Sequence, residues 1–522
     1  MKTRAASCPS CGGTVEFRAS SSLVTICPYC RCVVARGDKA VEDHGKVADL
    51  VLTDSPLELG VTGRFIKRNF EVVGRVQYKH PAGGVWDEWY LSFSDGTWGW
   101  LAEAQGKHYL TFERKMKETA SLPEMASIEV GRRLTLGKRG VFTVAEVGIA
   151  ETGAAEGEIP WDFVPGRPHR FVDLHGDDQA FATLDYNGAS PRLFLGKEIS
   201  LNALDLSGVG WSGLDYAAIG GGKAQRVEAL VLNCPHCGGT LELHAPDETE
   251  RVGCPHCLSL LDCRQGKLEY LQTLNARRVK PVIPLGTVGT LRGHRYTVIG
   301  FMERFVLYEG QTYPWTEYLL HNSTEGFRWL VHSKRHWSFV EPLSPHLVQE
   351  KGRDVVYDGQ TFKLYDKGEA IVRYVVGEFY WKIQAGESVK TRDYIAPPRM
   401  VSIERSGSEE NQEINISLGT YLTTDELKQA FPMAKALSPL GVGPIQPRPV
   451  VGGVYHLWGL FLLAMVVLHV AISKGLSREI DGGFSLIMLG LLSVIPLGTL
   501  LYCHNFEVQR WAESDYSPYS SD

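Results

Sequence analysis

Two sets of four cysteines constrain this chain more than any other feature. The first set has the spacing C-x2-C-x15-C-x2-C and the second C-x2-C-x16-C-x2-C. Each C-x2-C pair contains a proline, whose fixed φ favours the tight turn that brings two sulfurs together. Four thiolates at this spacing predict a zinc ribbon whose ion is structural, because a catalytic zinc keeps one position open. The predicted ligands of the two zinc ions are Cys8, Cys11, Cys27, Cys30, Cys234, Cys237, Cys254 and Cys257.

Other cysteines and histidines lie near these ligands. His236 and His256 fall inside the knuckles of the second set, where we expect them to point outward, with a role as spare ligand as the alternative. Cys32 and Cys263 are interpreted as buried strand residues, the alternative being a substitute ligand or a redox thiol. Cys503 lies at the edge of an apolar run, where acylation is the alternative to a plain packing role.

The two cysteine sets belong to a longer internal repeat. Cys8 and Cys234 are 226 residues apart, and the G-x-x-G at Gly60 returns at Gly286 with the same offset. Trp86–Leu91, sequence WDEWYL, matches Trp315–Leu320, sequence WTEYLL, and further pairs follow. A tandem duplication is therefore predicted, and it excludes one large undivided domain. The further matching pairs are Val72-Val73-Gly74 with Val298-Ile299-Gly300, Gly157–Trp161 with Gly377–Trp381, and Gly196 with Gly419.

The predicted fold is mainly β. Its 55 glycines and frequent turn signals favour short strands over long helices. We expect two tandem modules, each a zinc ribbon followed by two small barrel-like or sandwich-like β units, and then a transmembrane helical hairpin. One short helix is predicted to begin at Thr424, with Thr424 as its N-cap. The predicted boundaries are 1–36 and 229–267 for the ribbons, 57–127, 128–206, 281–345 and 352–436 for the β units, 454–503 for the hairpin and 504–522 for a polar tail.

Two charge-free runs near the end of the sequence predict the hairpin. Residues 454–473 and 484–503 lack Asp, Glu, Lys and Arg, and each has about the ~20 residues that a bilayer-spanning helix needs. Buried core helices are the alternative. No signal peptide opens the chain, and reduced zinc-binding thiols fit the cytosol, so we expect a multi-pass protein of the inner membrane with both termini and its bulk in the cytoplasm. The tail from Glu507 is expected to be mobile.

Acid–base residues recur in the two copies without a catalytic motif. Glu88 and Glu317 match, as do His108 and His336, and a proton-transfer pair is one interpretation. We favour the other interpretation, in which both glutamates lie on the solvent face of a strand. No catalytic or cofactor-binding residue is therefore assigned, and the chain is not predicted to be an enzyme. The neighbouring aromatic residues are interpreted as core packing, with a partner-binding platform as the alternative.

Charge argues against nucleic acid as a partner. The whole chain carries a net charge of −6, and the two ribbon regions differ, with +4 over residues 1–40 and −2 over residues 229–267. A duplicated nucleic-acid reader needs a basic surface in both copies, because phosphate contacts supply most of the affinity.

The repeated motifs resemble those of a bacterial domain of unknown function, DUF4178. The similarity extends over about Leu57–Leu204 and Ile283–Phe431, and it rests on the G-x-x-G, the V-x-G and the aromatic strand W-x-E-(W/Y). The resemblance implies work in the cell envelope or under stress at the inner membrane, and a neighbourhood with polyamine-related proteins.

Three functional hypotheses follow. The first is a membrane-anchored cytoplasmic scaffold or adaptor that recruits protein partners at the inner membrane, in envelope stress or membrane maintenance. The second, which rests on the resemblance, is a ligand-binding or enzymatic component linked to polyamine metabolism. The third is a nucleic-acid-binding ribbon protein, which the charge disfavours. The lipid bilayer is the expected partner of residues 454–473 and 484–503 in the first hypothesis.

Overall fold

Long antiparallel strands dominate the structure, a computed structural model, and confirm the mainly β prediction. The strands and the three α-helices below are those of the described residues. The structure describes residues 4–19, 21–36, 41–46, 50, 55, 57–81, 85–104, 107–115, 122–207, 230–245, 249–264, 267–274, 278–322, 325–408, 410–449, 452–476 and 482–519.

The elements alternate between short ribbon strands and long barrel strands. The first module has β1 (Arg4–Ser7), β2 (Thr14–Phe17), β3 (Val24–Ile26), β4 (Cys32–Arg36), β5 (Val41–Lys46), β6 (Thr62–Phe65), β7 (Arg68–Lys79), β8 (Val85–Phe93), β9 (Trp98–Ala104), β10 (Lys107–Arg114), β11 (Arg133–Thr135), β12 (Val141–Ile159), β13 (Pro168–Gly176), β14 (Ala180–Asp185) and β15 (Arg192–Ile199). The second module has β16 (Leu230–Asn233), β17 (Thr240–Leu243), β18 (Arg251–Gly253), β19 (Ser259–Arg264), β20 (Lys267–Thr273), β21 (Val288–Leu291), β22 (His294–Tyr308), β23 (Gln311–Asn322), β24 (Gly326–Ser333), β25 (His336–Leu343), β26 (Gln349–Lys351), β27 (Asp354–Tyr357), β28 (Gln360–Phe379), β29 (Ser388–Ala396), β30 (Arg399–Gly407) and β31 (Gln412–Leu422). The helices are α1 (Thr424–Ala430), α2 (Gly452–Leu476) and α3 (Gly482–Arg510), and 3-10 turns lie at Met125–Ser127, Gly137–Arg139, Leu201–Leu204 and Pro345–Leu347.

Each module forms one closed eight-stranded barrel. In the first module β7 to β10 form one antiparallel meander and β12 to β15 another. The pairs β10–β15 and β7–β12 join the two meanders edge to edge. In the second module the same order holds for β22 to β25 and β28 to β31, closed by β25–β31 and β22–β28. The two β units predicted per module therefore do not close separately, because a four-stranded meander leaves two open edges that pairing removes.

The outer wall of each barrel is apolar and is covered by extra segments. Trp89 and Leu91 of β8 point outward and pack with Leu201 and Leu204 of a 3-10 turn. In the second module α1 takes this role, with Leu427 buried against the outer wall. α1 begins at Thr424 as predicted, but its N-cap is Thr423, whose side chain and that of Glu426 form a reciprocal capping box.

Each ribbon packs over one end of its barrel. In the first module β3 pairs with the end of β12, and Val24 and Ile26 share a buried cluster with the lumen residues Tyr90 and Trp100. In the second module β18 pairs with β28, and Leu260 of the ribbon packs with lumen residues in the same way. The ribbons therefore cover one end of each barrel.

The two barrels join through β12 and β31. Glu146 pairs with Glu413 and Val147 with Gln412. Next to this short ladder the backbone N–H of Ile149 donates to Asn411 Oδ1 at 2.9 Å. The contact links the two copies of the repeat into one continuous sheet.

Two apolar helices end the chain, as predicted from the charge-free runs. By length and composition Gly453–Ile472 and Leu489–Arg510 can cross a membrane, and the residues 477–481 between α2 and α3 lie outside the described residues. No residue of the stretch Gly453–Ile472 is buried inside the protein.

The end of α3 is clamped to the second barrel. The Arg510 side chain, 1% exposed, donates to the carbonyl oxygens of Gly443 and Pro444, and Tyr365 of β28 donates to the Arg510 carbonyl. Trp511 is buried in a cluster with Tyr365. The tail was expected to be mobile, and this is wrong for the described residues up to 519, because these buried contacts hold it against the barrel.

Candidate metal centres and the barrel cavity

The knuckles of both ribbons have the same backbone geometry. In the first, the N–H of Gly12 donates to the Cys8 carbonyl at 2.8 Å, and in the second Gly238 donates to Cys234 at 2.8 Å. Both glycines have positive φ, 74° and 72°, a conformation that favours glycine, although Arg31 and Leu258 adopt it at the same point of the other knuckle in each ribbon. The proline-containing turns therefore present their sulfurs as the sequence predicts.

The eight predicted ligands form two groups, each with its four sulfurs within 4.8 Å of one another. Cys8 Sγ lies 3.6 Å from Cys30 Sγ, and Cys11 Sγ lies 3.7 Å from Cys27 Sγ. The second group is alike, with 3.8 Å between Cys234 and Cys257 and 3.9 Å between Cys237 and Cys254. A tetrahedral ion with metal–sulfur bonds of about 2.3 Å requires sulfurs about 3.8 Å apart, so both groups fit such an ion.

Each group contains a thiol whose pKa is lowered to below 7. The backbone N–H of Cys32 lowers the pKa of Cys30 to about 6. In the second group burial opposes ionisation of Cys257, but the Ser259 hydroxyl and His236 lower its pKa to about 5. Other thiols of the same groups resist ionisation, since the neighbouring sulfurs raise the pKa of Cys11, and burial that of Cys254, to about 12. Metal binding, which requires thiolates, must therefore displace protons from these cysteines.

The extra cysteine and the two knuckle histidines lie beside the centres. Cys32 is fully buried, with its sulfur 4.0 Å from that of Cys8, and Ser259 stands at the equivalent place in the second ribbon. His236 stacks on Tyr270 at 4.9 Å, and His256 Nε2 lies 3.0 Å from a backbone carbonyl. Among the described residues the metal-ligating groups contain cysteines alone.

A buried glutamate fastens each ribbon to its barrel. Glu158, 3% exposed, accepts hydrogen bonds from the backbone N–H groups of Arg18 and Ala19 and from the Ser22 hydroxyl. Glu378, 1% exposed, accepts the same pattern from residues of the second ribbon, His244, Ala245 and Thr249. The sequence analysis did not predict that these two glutamates hold the ribbons, although the repeated Gly-Glu motif contains both Glu158 and Glu378.

The matched acid–base residues do not form catalytic pairs. Glu88 and Glu317 face the barrel lumen. The prediction that they lie on the solvent face of a strand is wrong, because the sheet closes into a barrel with that face on the inside. His108 lies on the outside and contacts Glu103 at 3.2 Å. His336 contacts the Tyr421 hydroxyl and the Leu440 carbonyl. By strand register His336 is equivalent to Lys107 and not to His108.

The aromatic residues of the repeated strands are buried on both faces of the barrel walls, Trp100 in the lumen cluster and Trp89, Tyr318 and Trp337 under the segments that cover the outer wall. Trp89, Trp100, Tyr318 and Trp337 are 1–3% exposed, which agrees with the core interpretation. Other members line the lumen instead, and these are Trp86, Trp315 and Trp329.

A half-open cavity of about 3130 Å³ is lined by residues of both lumens, of the junction between them and of adjoining outer surfaces such as His108 and Glu103. Sixteen carboxylate side chains line it, against seven lysines and arginines. It reaches the anchor clamp at Gly443 and Arg510. Such a lining repels anions and favours neutral or cationic molecules.

Four carboxylates occupy equivalent lumen positions in the two barrels. They are Glu88, Glu146, Asp173 and Asp185 in the first and Glu317, Asp366, Asp393 and Glu404 in the second. Burial raises the pKa of Glu88 to about 7, that of Asp173 to about 8 and that of Asp393 to about 7. The lumens therefore hold carboxyl groups that gain or lose protons near neutral pH.

Comparison with known proteins adds a family match. The profile described as "Domain of unknown function (DUF4178)" matches residues 58–201 and 284–424, which are the two barrels. No curated protein matches the sequence.

Solved structures give weak alignments. One with MucB in complex with MucA(peri) has 11% identity, covers 72% of this chain and 94% of that chain, and has a TM-score of 0.10. One with intact Ap-TbpB (N and C lobes) has 9% identity, 70% and 77% coverage and a TM-score of 0.10. A third, with the Pseudomonas aeruginosa MucA/MucB complex, has 10% identity, 73% and 93% coverage and a TM-score of 0.09. Scores this low carry no argument about this chain.

Proposed function

Because this chain belongs to the DUF4178 family, which is described only as a domain of unknown function, we propose its function from its own geometry. The chain is a membrane-anchored, non-catalytic binding protein that takes up a small molecule in the cavity of its double barrel. The observation that carries the proposal is the cavity of about 3130 Å³. Small-molecule sites have volumes of about 300–1,000 Å³, so the cavity has room for a ligand in either lumen.

The absence of catalysis rests on the placement of the titratable groups. The buried carboxyls of the lumen face aromatic and hydroxyl side chains, such as Trp86 beside Glu88 and Thr183 beside Asp173. Ser344 lines the cavity and its hydroxyl contacts His346 Nδ1 at 3.2 Å, but the carboxylate that His346 faces, Asp177, is 3.8 Å away and 93% exposed, so it does not hold the imidazole as a buried third group of a triad would. This arrangement suits binding and recognition.

Equilibrium dialysis tests uptake. The full chain in lipid nanodiscs is dialysed against a small-molecule extract of bacterial cells, and retained compounds are identified by mass spectrometry. A variant with filled lumens, Ala102→Trp with Ser338→Trp, is the comparison. Compounds retained by the wild type and lost from the variant support the proposal, and no retained compound with a folded wild type contradicts it.

The two apolar helices and the cysteine groups support, within this proposal, a location at the cytoplasmic face of the inner membrane. The exposed apolar side chains of α2 need lipid around them, since no part of the described protein covers them. Both cysteine centres hold zinc in this proposal, and reduced thiols require the cytosol. Removing residues 450–522 should move the protein from the membrane pellet to the soluble fraction. In spheroplasts, external protease should leave an N-terminal tag intact, and cleavage of the tag would reverse the orientation.

Recruitment of protein partners for envelope maintenance is the second candidate. Exposed apolar residues on the ribbons favour it, with Tyr29 71% and Val231 60% exposed. A photo-crosslinking residue at position 29, with position 129 on the first barrel as the control, should capture a discrete protein from membranes. Equal labelling from both positions would count against recruitment.

A further inference from the structure

A row of polar side chains crosses the junction between the two barrels. Strand register places Glu146 of β12 directly opposite Asp173 of β13 on one side and directly opposite Glu413 of β31 on the other. The row continues to Thr183 of β14 and Ser406 of β30. All five residues line the cavity, as expected of directly opposed residues, which share one face of a sheet. Three carboxyls therefore lie side by side on neighbouring strands, two from the first barrel and one from the second.

One histidine supplies the positive charge in contact with this row. His80 follows β7, and its Nε2 lies 2.6 Å from a carboxyl oxygen of Glu146, the middle member. Among the described residues the outer two, Asp173 and Glu413, form no salt bridge, and Asp173 accepts a hydrogen bond from the Thr183 hydroxyl at 2.7 Å. Like charges directly opposite each other repel, and one imidazolium neutralises one carboxylate. The closed junction therefore favours protons on the outer two carboxyls.

The pKa values of these groups agree with the geometry. Burial, and after it the nearby Glu146, raises the pKa of Asp173 to about 8 and that of Glu413 to about 7. Burial alone would lower the pKa of His80, but its contact with Glu146 raises it. The other titratable or charged groups that face the row are Glu88, Tyr380, Glu404 and the arginine that Glu404 binds at 2.8 Å, Arg304.

We propose that this row is a proton-operated latch on the junction between the two barrels. With Asp173 and Glu413 protonated and the His80 imidazolium beside Glu146, the row carries no net charge and the ladder between β12 and β31 is closed. When the pH rises and the outer carboxyls lose their protons, three carboxylates oppose one another and the ladder opens. Val130 packs against the second barrel outside the row, so the opening is confined to the ladder. The latch works with or without a molecule in the cavity.

The direction of the pH dependence follows from the state that binds more protons. In the closed junction Asp173 and Glu413 hold their protons up to about pH 8 and 7. In the open junction water surrounds both groups and returns them to the ordinary carboxyl pKa of about 4. Between these limits the closed form binds more protons, so closure is strongest at low pH and weakens as the pH rises to about 8.

Hydrogen exchange read by mass spectrometry tests the latch on the full chain in nanodiscs at pH 6 and pH 8.5. Rates are corrected for the intrinsic effect of pH on amide exchange, and the seam between β10 and β15 is the internal reference. Protection of the amides in residues 145–149 and 411–415 should fall roughly tenfold or more from pH 6 to pH 8.5 relative to that seam. Glu413→Gln, whose amide does not ionise, should keep most of this protection at pH 8.5.

Controls separate the possible outcomes. Glu58→Gln changes an exposed carboxylate outside the cavity and should lose protection like the wild type. Near-UV circular dichroism checks that each variant folds, and Asp173→Asn, which should show a smaller loss than the wild type, is the second variant if Glu413→Gln does not fold. Wild-type protection at the junction that stays equal or rises at pH 8.5 would overturn the inference. A loss in the folded variant as large as that of the wild type would overturn it as well.

Discussion

The eight sulfurs determine what each ribbon can hold. Their pairwise distances of 3.6–3.9 Å match the edge of a tetrahedron around one ion, and two knuckles with the same backbone bonds present them. A unit of this size has too little core to fold alone, so metal binding contributes directly to its folding free energy.

Metal analysis is therefore the first residue-scale prediction. The wild type should contain two zinc ions per chain by elemental mass spectrometry, and Cys11→Ser should contain one. Cys32→Ser is the matched control, because Ser259 already stands at the equivalent place in the second ribbon, and it should keep two. Zero or one ion in the wild type, or loss of an ion in the control, would contradict this assignment.

The lumen carboxyls predict how stability depends on pH. Folding raises the pKa of Glu88 from 4.5 to about 7 and that of Asp173 from 3.8 to about 8, so between about pH 4 and 8 the folded state binds more protons than the unfolded state. The free energy of unfolding should then fall as pH rises, by roughly 1–3 kcal/mol per group.

Thermal unfolding at pH 5, 6, 7 and 8 measures this effect without added ligand. Tm should be highest near pH 5, and Glu88→Gln should make the decline shallower, because glutamine has no proton to lose. Glu129→Gln should follow the wild type. A Tm that increases from pH 5 to pH 8 would show that these carboxyls are ionised in the folded protein.

At the scale of the elements, the seam between β10 and β15 closes the first barrel. A Cβ added to Gly196 of β15 would lie 1.7 Å from the Leu110 carbonyl oxygen of β10. The equivalent residue of the second barrel, Gly419, has its nearest atom at 3.6 Å. The two seams have the same pairing but different tolerance for a side chain.

The glycine pair gives a matched test. Gly196→Ala should lower the free energy of unfolding by about 1–3 kcal/mol, since the strands must move apart to admit the methyl group. Gly419→Ala should change it by less than about 0.5 kcal/mol. Denaturant unfolding of both variants measures the difference, and equal effects would mean that the seams do not close as described.

Prediction from the sequence succeeded where the determining residues are close in the chain. The knuckles follow from C-P-x-C spacing, and the duplication from repeated short motifs. Barrel closure depends on pairing Tyr109 with Glu198, residues far apart in sequence, and no local pattern indicates that contact.

At the scale of the whole molecule, a short strand ladder joins the two barrels, beside packing of Val130 against the core of the second barrel. Only two residue pairs join β12 to β31, and Asn411 supplies a side-chain bond to the backbone of Ile149 beside them. Burial and the nearby Glu146 raise the pKa of Glu413 to about 7, so Glu413 loses its proton at this junction near neutral pH.

Loosening this junction is the whole-molecule prediction. Asn411→Ala leaves the Ile149 N–H without its acceptor, and the distance between the barrels should become more variable. Double electron–electron resonance measures that distance between two spin labels. The labels are carried by unnatural amino acids, not cysteines, at the exposed positions Arg139 and Asp358. A broader distribution is expected for Asn411→Ala and not for Asn202→Ala on the surface, and an unchanged distribution would place the rigidity elsewhere.

The clamp at the end of α3 has a mechanical consequence. Arg510 and Trp511 connect the end of α3 rigidly to the second barrel. The proposed anchor is therefore a rigid attachment and not a flexible tether. A tilt of the helices, as a thinner or thicker bilayer would impose, turns the barrel with them. The cavity reaches this same clamp, so in the proposed membrane-anchored state the cavity residues beside Arg510 would keep a fixed distance and orientation relative to the lipid surface.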